Sequence, residues 1–154
     1  MKTIINDFLN QKEVAIAGVS RNPNKWGNAL LKELRKKGIK VYPVNPHAEL
    51  LEGEKCYPDL KSLPESVDSL IIAVKPADTT TLVKQCPEAG IKRVWMQKGG
   101  GKGSFSQEGY DFCRENNIDL VYGICPMMFY GKGMHGFHFW IRKTLGRLPK
   151  EFTA

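Results

Sequence analysis

The sequence predicts an α/β fold: a single doubly wound domain built on a five-stranded, mainly parallel sheet. Two observations carry that reading. Short apolar runs alternate along the chain with amphipathic stretches of about ten residues, as in a series of right-handed βαβ units. The run Ser69-Leu70-Ile71-Ile72-Ala73-Val74 is apolar almost throughout, as expected of a parallel strand covered by helices on both faces.

The elements follow in order. Glu13-Val14-Ala15-Ile16-Ala17 reads as a buried strand ending at Gly18. Residues 28–37 place Leu30, Leu31 and Leu34 at helical spacing, with Lys32, Glu33, Lys36 and Lys37 outward; Gly38 is suited to stop that helix. Lys40-Val41-Tyr42-Pro43-Val44 is the second strand, and Pro43, which lacks a backbone donor, belongs at an edge or where the ladder ends. Residues 69–74 form the third strand. Residues 78–85 read as a helix with Asp78 as cap. A break is expected at Pro87, because an interior proline costs about 3 kcal/mol, with a last turn ending at Gly90. Arg93-Val94-Trp95-Met96 is the fourth strand, residues 106–116 a helix capped by Ser104 or Ser106, and Asp119-Leu120-Val121-Tyr122 the fifth strand. Five such strands describe a Rossmann-like domain.

The 154 residues fit one domain. A composition of 42% hydrophobic and 25% charged residues excludes a disordered chain. No apolar run is long enough for a transmembrane helix, and the start, Met1-Lys2-Thr3-Ile4-Ile5-Asn6-Asp7, breaks its apolar run at once, unlike a signal peptide. Cys56, Cys86, Cys113 and Cys125 form no Cys-x-x-Cys pair; reduced thiols in a cytoplasmic protein are the expectation. The formal charge is +7, and residues 131–154 carry Lys132, Arg142, Lys143, Arg147 and Lys150 against Glu151 alone. We divide the chain into a domain over 1–130 and a basic, aromatic extension over 131–154 expected to pack on it. The extension also leaves open a dimer contact, a membrane-surface helix or a nucleic-acid interface, although nucleic acid is not the expected partner.

In a doubly wound sheet, ligands bind beyond the carboxyl ends of the strands, at the topological switch point. The first strand is followed by Gly18-Val19-Ser20-Arg21-Asn22-Pro23-Asn24-Lys25-Trp26-Gly27. A small-residue turn leading into a helix start offers free backbone N–H groups and the positive end of the helix dipole to an anion. Arg21 and Lys25 could pair with phosphates, or be solvated charges of a surface loop. Ser20 stands where the dinucleotide fingerprint has its second glycine, and no acid follows the second strand until Glu49; both count against NAD. Asn45-Pro46-His47 could meet an adenine or ribose edge through Asn45, or simply turn. Lys75-Pro76 places a lysine at the third strand end. Gln97-Lys98-Gly99-Gly100-Gly101-Lys102-Gly103 lacks the spacing of a P-loop and reads as a flexible loop.

Taken together, Ala17-Gly18-Val19-Ser20-Arg21-Asn22-Pro23, Val41-Tyr42-Pro43-Val44-Asn45-Pro46, Pro64-Glu65-Ser66-Val67-Asp68, Val94-Trp95-Met96-Gln97 and Cys125-Pro126 resemble the small CoA-binding proteins related in fold to the N-terminal domain of the succinyl-CoA synthetase α subunit. The resemblance covers roughly residues 10–130 and is specific in order and spacing. It implies coenzyme A or an acyl-CoA as ligand. The pyrophosphate would lie over Gly18, Val19, Ser20, Arg21, Lys25 and Gly27, the adenosine near Pro43 and Asn45, and the pantetheine arm past Ala73, Val74 and Lys75. Arg21, Lys25 and His47 are candidates to meet phosphate charge. The chain departs from the family pattern in its glycine-rich segment after the fourth strand and in Met127-Met128-Phe129 after the Cys-Pro.

No catalytic dyad or metal cluster stands out, so the expected function is CoA or acyl-CoA binding, alone or for a partner enzyme. The alternatives are an acyl-CoA or nucleotide-dependent transferase using Cys125 or His135, and a nucleic-acid binder acting through the basic tail. Cys125 reads more simply as a buried inert thiol, and His135 with His138 gives only weak evidence for a metal.

Overall fold

The computed structural model describes residues 2–98 and 102–130. Its elements run α1 (Lys2–Leu9), β1 (Glu13–Ala17), α2 (Trp26–Lys36), β2 (Lys40–Val44), β3 (Leu50–Leu51), β4 (Glu54–Lys55), β5 (Ser69–Ile72), α3 (Pro76–Ala89), β6 (Arg93–Gln97), α4 (Gln107–Glu115), β7 (Asp119–Ile124) and α5 (Met127–Tyr130). The five main strands form one parallel sheet in the order β2-β1-β5-β6-β7, as the α/β reading expected. The chain leaves β1 to one side and returns on the other, so the switch point lies between β1 and β5.

Alternate residues of each strand feed two cores. Ile16, Ile71, Trp95 and Val121 pack with Phe8 of α1, Leu30, Leu31 and Leu34 of α2, and Met127 of α5. On the opposite face Ala15, Leu70, Ile72, Val94 and Met96 pack with Val83 and Cys86 of α3 and Cys113 of α4. Trp95 is fully buried. Its Nε1–H donates to the Ile124 carbonyl at 3.0 Å, and its ring meets Phe8 and Phe129 edge-on at 5.4 and 5.7 Å. An indole needs such a partner when buried, and this one ties β6 to the end of β7.

The chain passes through Pro87 without the expected break: α3 runs on to Ala89. Pro87 lies in the last turn, where it removes a single ladder bond. Gly90, at φ 74°, then closes the helix in the left-handed conformation, its N–H directed to the Cys86 and Pro87 carbonyls. α3 also starts earlier than expected, with Pro76 at its first position, so Asp78 lies within the first turn and is not the cap. α4 is capped by Ser106, whose hydroxyl accepts from the Gly109 N–H at 3.0 Å. Three elements were not anticipated: α1, the β3–β4 hairpin and α5. The extension over 131–154 lies outside the described residues.

At the amino ends of β1 and β2, Glu13 lies opposite Lys40, and the Tyr42 hydroxyl donates to Glu13 Oε1 at 2.7 Å. That bond, assisted by Ser66, holds the Glu13 carboxyl below the usual carboxylate range. A carboxyl whose folded pKa is depressed adds stability that is fully present above its unfolded value of about 4.3. That stability is lost as pH falls through the folded value. Replacing Tyr42 with Phe is therefore expected to lower stability at pH 7 and to flatten its decline below pH ~5, read by urea unfolding across pH. An unchanged acid limb would show that the bond does not hold the carboxyl.

Candidate functional site

The carboxyl ends of β1, β2 and β5 meet at the switch point, where backbone is packed against backbone. Gly18 has φ +119°, and a Cβ there would lie 2.5 Å from the Ala73 carbonyl oxygen. The Ala73 N–H donates to the Ala17 carbonyl at 2.8 Å. A Cβ on Gly27 would lie 2.4 Å from the Gly18 carbonyl oxygen. The first turn of α2 therefore rests directly on the end of β1, a closeness only glycine allows.

The loop between them is held by amides. Asn28, 1% exposed, accepts from the Ser20 N–H at 3.0 Å and donates to the Ser20 carbonyl at 2.7 Å. Asn45 donates to the Val19 carbonyl at 3.1 Å and accepts from the His47 N–H at 2.8 Å. Arg21 reaches across to donate to the His47 carbonyl. The loops after β1 and β2 are thus one bonded unit, and Arg21 and Asn45 have structural partners of their own.

Beside these loops lies a cleft of about 540 Å³. It brings together Gly18, Val19, Ser20, Asn45 and Val74 from the expected site. Arg21, Lys25, Gly27, Pro43, Ala73 and Lys75 are not in its lining. Gly27 and Ala73 lie behind Gly18 as its packing surface. Pro43 is buried within β2, and its carbonyl accepts from the Tyr57 N–H at 2.9 Å; Val44 reaches the cleft instead. Lys25 and Lys75 are exposed.

Sequence reasoning missed one wall. Asp78, Thr81, Leu82 and Gln85 of α3 line the cleft, and their spacing marks a single helix face. Pro58 and Asp59 close the far side. Asn28 was also missed, since nothing in an asparagine at the third position of a helix distinguishes a loop anchor from an exposed side chain.

Lys25 and Lys75 hold the N-cap positions of α2 and α3, and neither side chain makes a cap hydrogen bond. Lysine supplies no acceptor for the free amides there, and its charge opposes the helix dipole. The Lys75 ammonium lies 3.9 Å from Asp78. Two such lysines at one switch point form a positive rim, and the first-turn N–H groups of α2 suit an anion, whereas α3 opens on Pro76, which has no N–H, and carries Asp78 in its first turn.

Cys125 follows β7 and is 5% exposed. Burial pushes its thiol up, against the lowering effect of hydrogen bonds involving Met127, Met128, Trp26 and Gln97. A nucleophilic cysteine needs the opposite shift. His135 and His138 lie outside the described residues. Among the described residues no group of three or more His, Cys, Asp or Glu gathers as metal ligands, and no helix is long and apolar enough to cross a membrane.

Comparison with known proteins finds the following. A family described as a CoA binding domain matches residues 12–131. ADP-forming acetate–CoA ligase II of Archaeoglobus fulgidus is 36% identical over 107 residues, 68% of this chain and 15% of that protein. The α subunit of ADP-forming acetate–CoA ligase II of Pyrococcus furiosus is 35% identical over 113 residues, 73% of this chain and 24% of the subunit. The chain thus corresponds to under a quarter of these relatives' length. Among solved structures, a conserved hypothetical protein from Pyrococcus furiosus superposes with a TM-score of 0.70 at 37% identity, over 75% of this chain and 97% of that one.

Gly27→Ala is expected to destabilise the domain by about 1–3 kcal/mol, because the obstructing atom is backbone and cannot swing aside; urea unfolding measures it, and a neutral effect would contradict the packing. Iodoacetamide at pH 8 is expected to modify Cys125 far more slowly in the folded protein than in urea. Equal rates would restore the thiol as a candidate nucleophile.

Proposed function

The chain belongs to the CoA-binding domain family, and on that premise we propose that it binds coenzyme A or an acyl-CoA in the cleft between β1 and β5. The observation that carries this reading is the pair of helix starts at the switch point, each with a lysine where a capping acceptor is usual. A polyanion bound there meets first-turn amides of α2 that no cap side chain meets, and it relieves the lysine charge opposing each dipole. In this reading the pyrophosphate lies over the Gly18–Gly27 loop, with Arg21 and Lys25 at its edge. The adenosine lies against Val44 and Asn45, beside Pro43, and the pantetheine arm passes Ala73, Val74 and Lys75.

The chain's own contribution is binding and orientation. The Gly18 and Gly27 contacts fix the backbone that approaches the phosphates, and Asn45 fixes the second loop against the first. The ligases named above join an acyl group to CoA by name, and this chain aligns with only a part of each. We therefore read it as a CoA holder acting alone or presenting CoA to a partner enzyme, with no catalytic group of its own proposed.

The test is calorimetric titration with CoA, dephospho-CoA and NAD, after removal of any co-purified ligand. CoA is expected to bind, and dephospho-CoA more weakly because it lacks a charged monoester. Lys25→Ala and Lys75→Ala are each expected to weaken CoA binding about three- to fivefold, the upper range for an exposed ion pair. Preference for NAD, or no binding of CoA, would overturn the reading.

A further inference from the structure

We propose that Glu52, at the tip of the β3–β4 hairpin, is a positioning residue: acting through Asn28, it sets the conformation of the Ser20 loop that receives the ligand. The ligand part of this inference rests on the reading above.

Glu52 is held in an unfavourable backbone conformation, with φ 53° in the left-handed region where glycine is at ease. Its side chain is only 17% exposed and has Lys32 Nζ at 3.6 Å. Its Oε1 accepts from Asn28 Nδ2 at 2.9 Å, and its carbonyl accepts from Arg35 at 2.6 Å. Glycine at position 52 would give the same turn without the strain, so the hairpin alone does not explain a glutamate.

The Asn28 amide does. Its Nδ2 group faces Glu52 and the Ser20 carbonyl, and its Oδ1 faces the Ser20 N–H. A carboxylate only accepts, so it holds the Nδ2 end of the amide toward itself. That leaves Oδ1 for the Ser20 N–H. With the amide reversed, Oδ1 would face a carboxylate oxygen, and the Ser20 N–H would face another donor. Glu52 thus favours the same orientation as the two Ser20 groups and anchors the Nδ2 end of the amide, holding Asn28 where it closes both bonds to Ser20. The hairpin follows directly on the second ligand loop, and the Cys56 N–H donates to the Glu49 carbonyl at 2.8 Å while the Asn45 N–H donates to the Tyr57 carbonyl at 2.9 Å. Both loops are therefore referred to the same hairpin.

Two variants separate this role from a structural one. Glu52→Gly removes the acceptor and relieves the backbone strain; Glu52→Gln keeps an acceptor in the same place. Ser20 amide exchange is measured by NMR in the ligand-free protein, global stability by urea unfolding, and CoA affinity by calorimetry. Glu52→Gly is expected to raise Ser20 exchange about tenfold without loss of global stability, and to weaken CoA binding about five- to tenfold, the scale of one lost hydrogen bond. Glu52→Gln is expected to restore both. Unchanged Ser20 exchange in Glu52→Gly overturns the proposal, as does raised exchange with unchanged CoA affinity. A parent protein that binds no CoA overturns the ligand reading instead, and Ser20 exchange then decides by itself whether Glu52 sets the loop.

Discussion

The contact on which the site depends is backbone against backbone. The Gly18 carbonyl lies where a side chain on Gly27 would begin, and the Ala73 carbonyl where one on Gly18 would begin. This stack of three chain segments fixes the start of α2 relative to the ends of β1 and β5. It also leaves the loop between Gly18 and Gly27 with its two ends pinned. The position of those two ends does not depend on side-chain rotamers.

From that stack the remaining constraints spread by hydrogen bonds rather than by apolar packing. Asn28 is buried beneath the first loop and is satisfied on both sides of its amide. Asn45, half-buried, bonds on both sides of its amide between the first and second loops. A half-satisfied buried amide costs about 1–3 kcal/mol. Each of these residues is therefore restrictive: it accepts few alternative loop geometries. The apolar cores on the two faces of the sheet provide the stability, and the asparagines choose among the loop conformations that the cores would tolerate.

The five-stranded parallel sheet and most element boundaries were legible because they rest on local pattern. Apolar runs of four to six residues between amphipathic stretches have few other folded solutions. Pro87 was misread because the rule against interior proline is strongest mid-helix and weakens in the last turn, where Gly90 supplies the closing geometry. The β3–β4 hairpin was invisible because its strands are two residues each and its turn pairs Glu52 with Gly53, both at positive φ. The sequence shows only the glycine. In the site, glycines and strand ends pointed to the crevice where the structure opens a cleft. The α3 wall was legible in principle from the spacing of Asp78, Thr81, Leu82 and Gln85, but a helix face declares itself as a wall only once the sheet is assembled. The resemblance implies a ligand beside Pro43; in the structure the pleat turns its neighbour Val44 to the cleft.

The charge layout adds a constraint on how a ligand of this class would lie. The cleft's lining includes the exposed carboxylates of Asp59 and Asp78; Asp78 lies 3.9 Å from the Lys75 ammonium, and Asp59 accepts from the Ser62 N–H at 2.8 Å. Lys25 and Lys75 stand at the helix starts, outside its lining. A ligand of the proposed class, with an uncharged, amine-bearing base and a separate chain of phosphates, suits this lining: the Asp59 and Asp78 carboxylates and the Gln85 amide can meet donors of the base, while the α2 start can meet the phosphates.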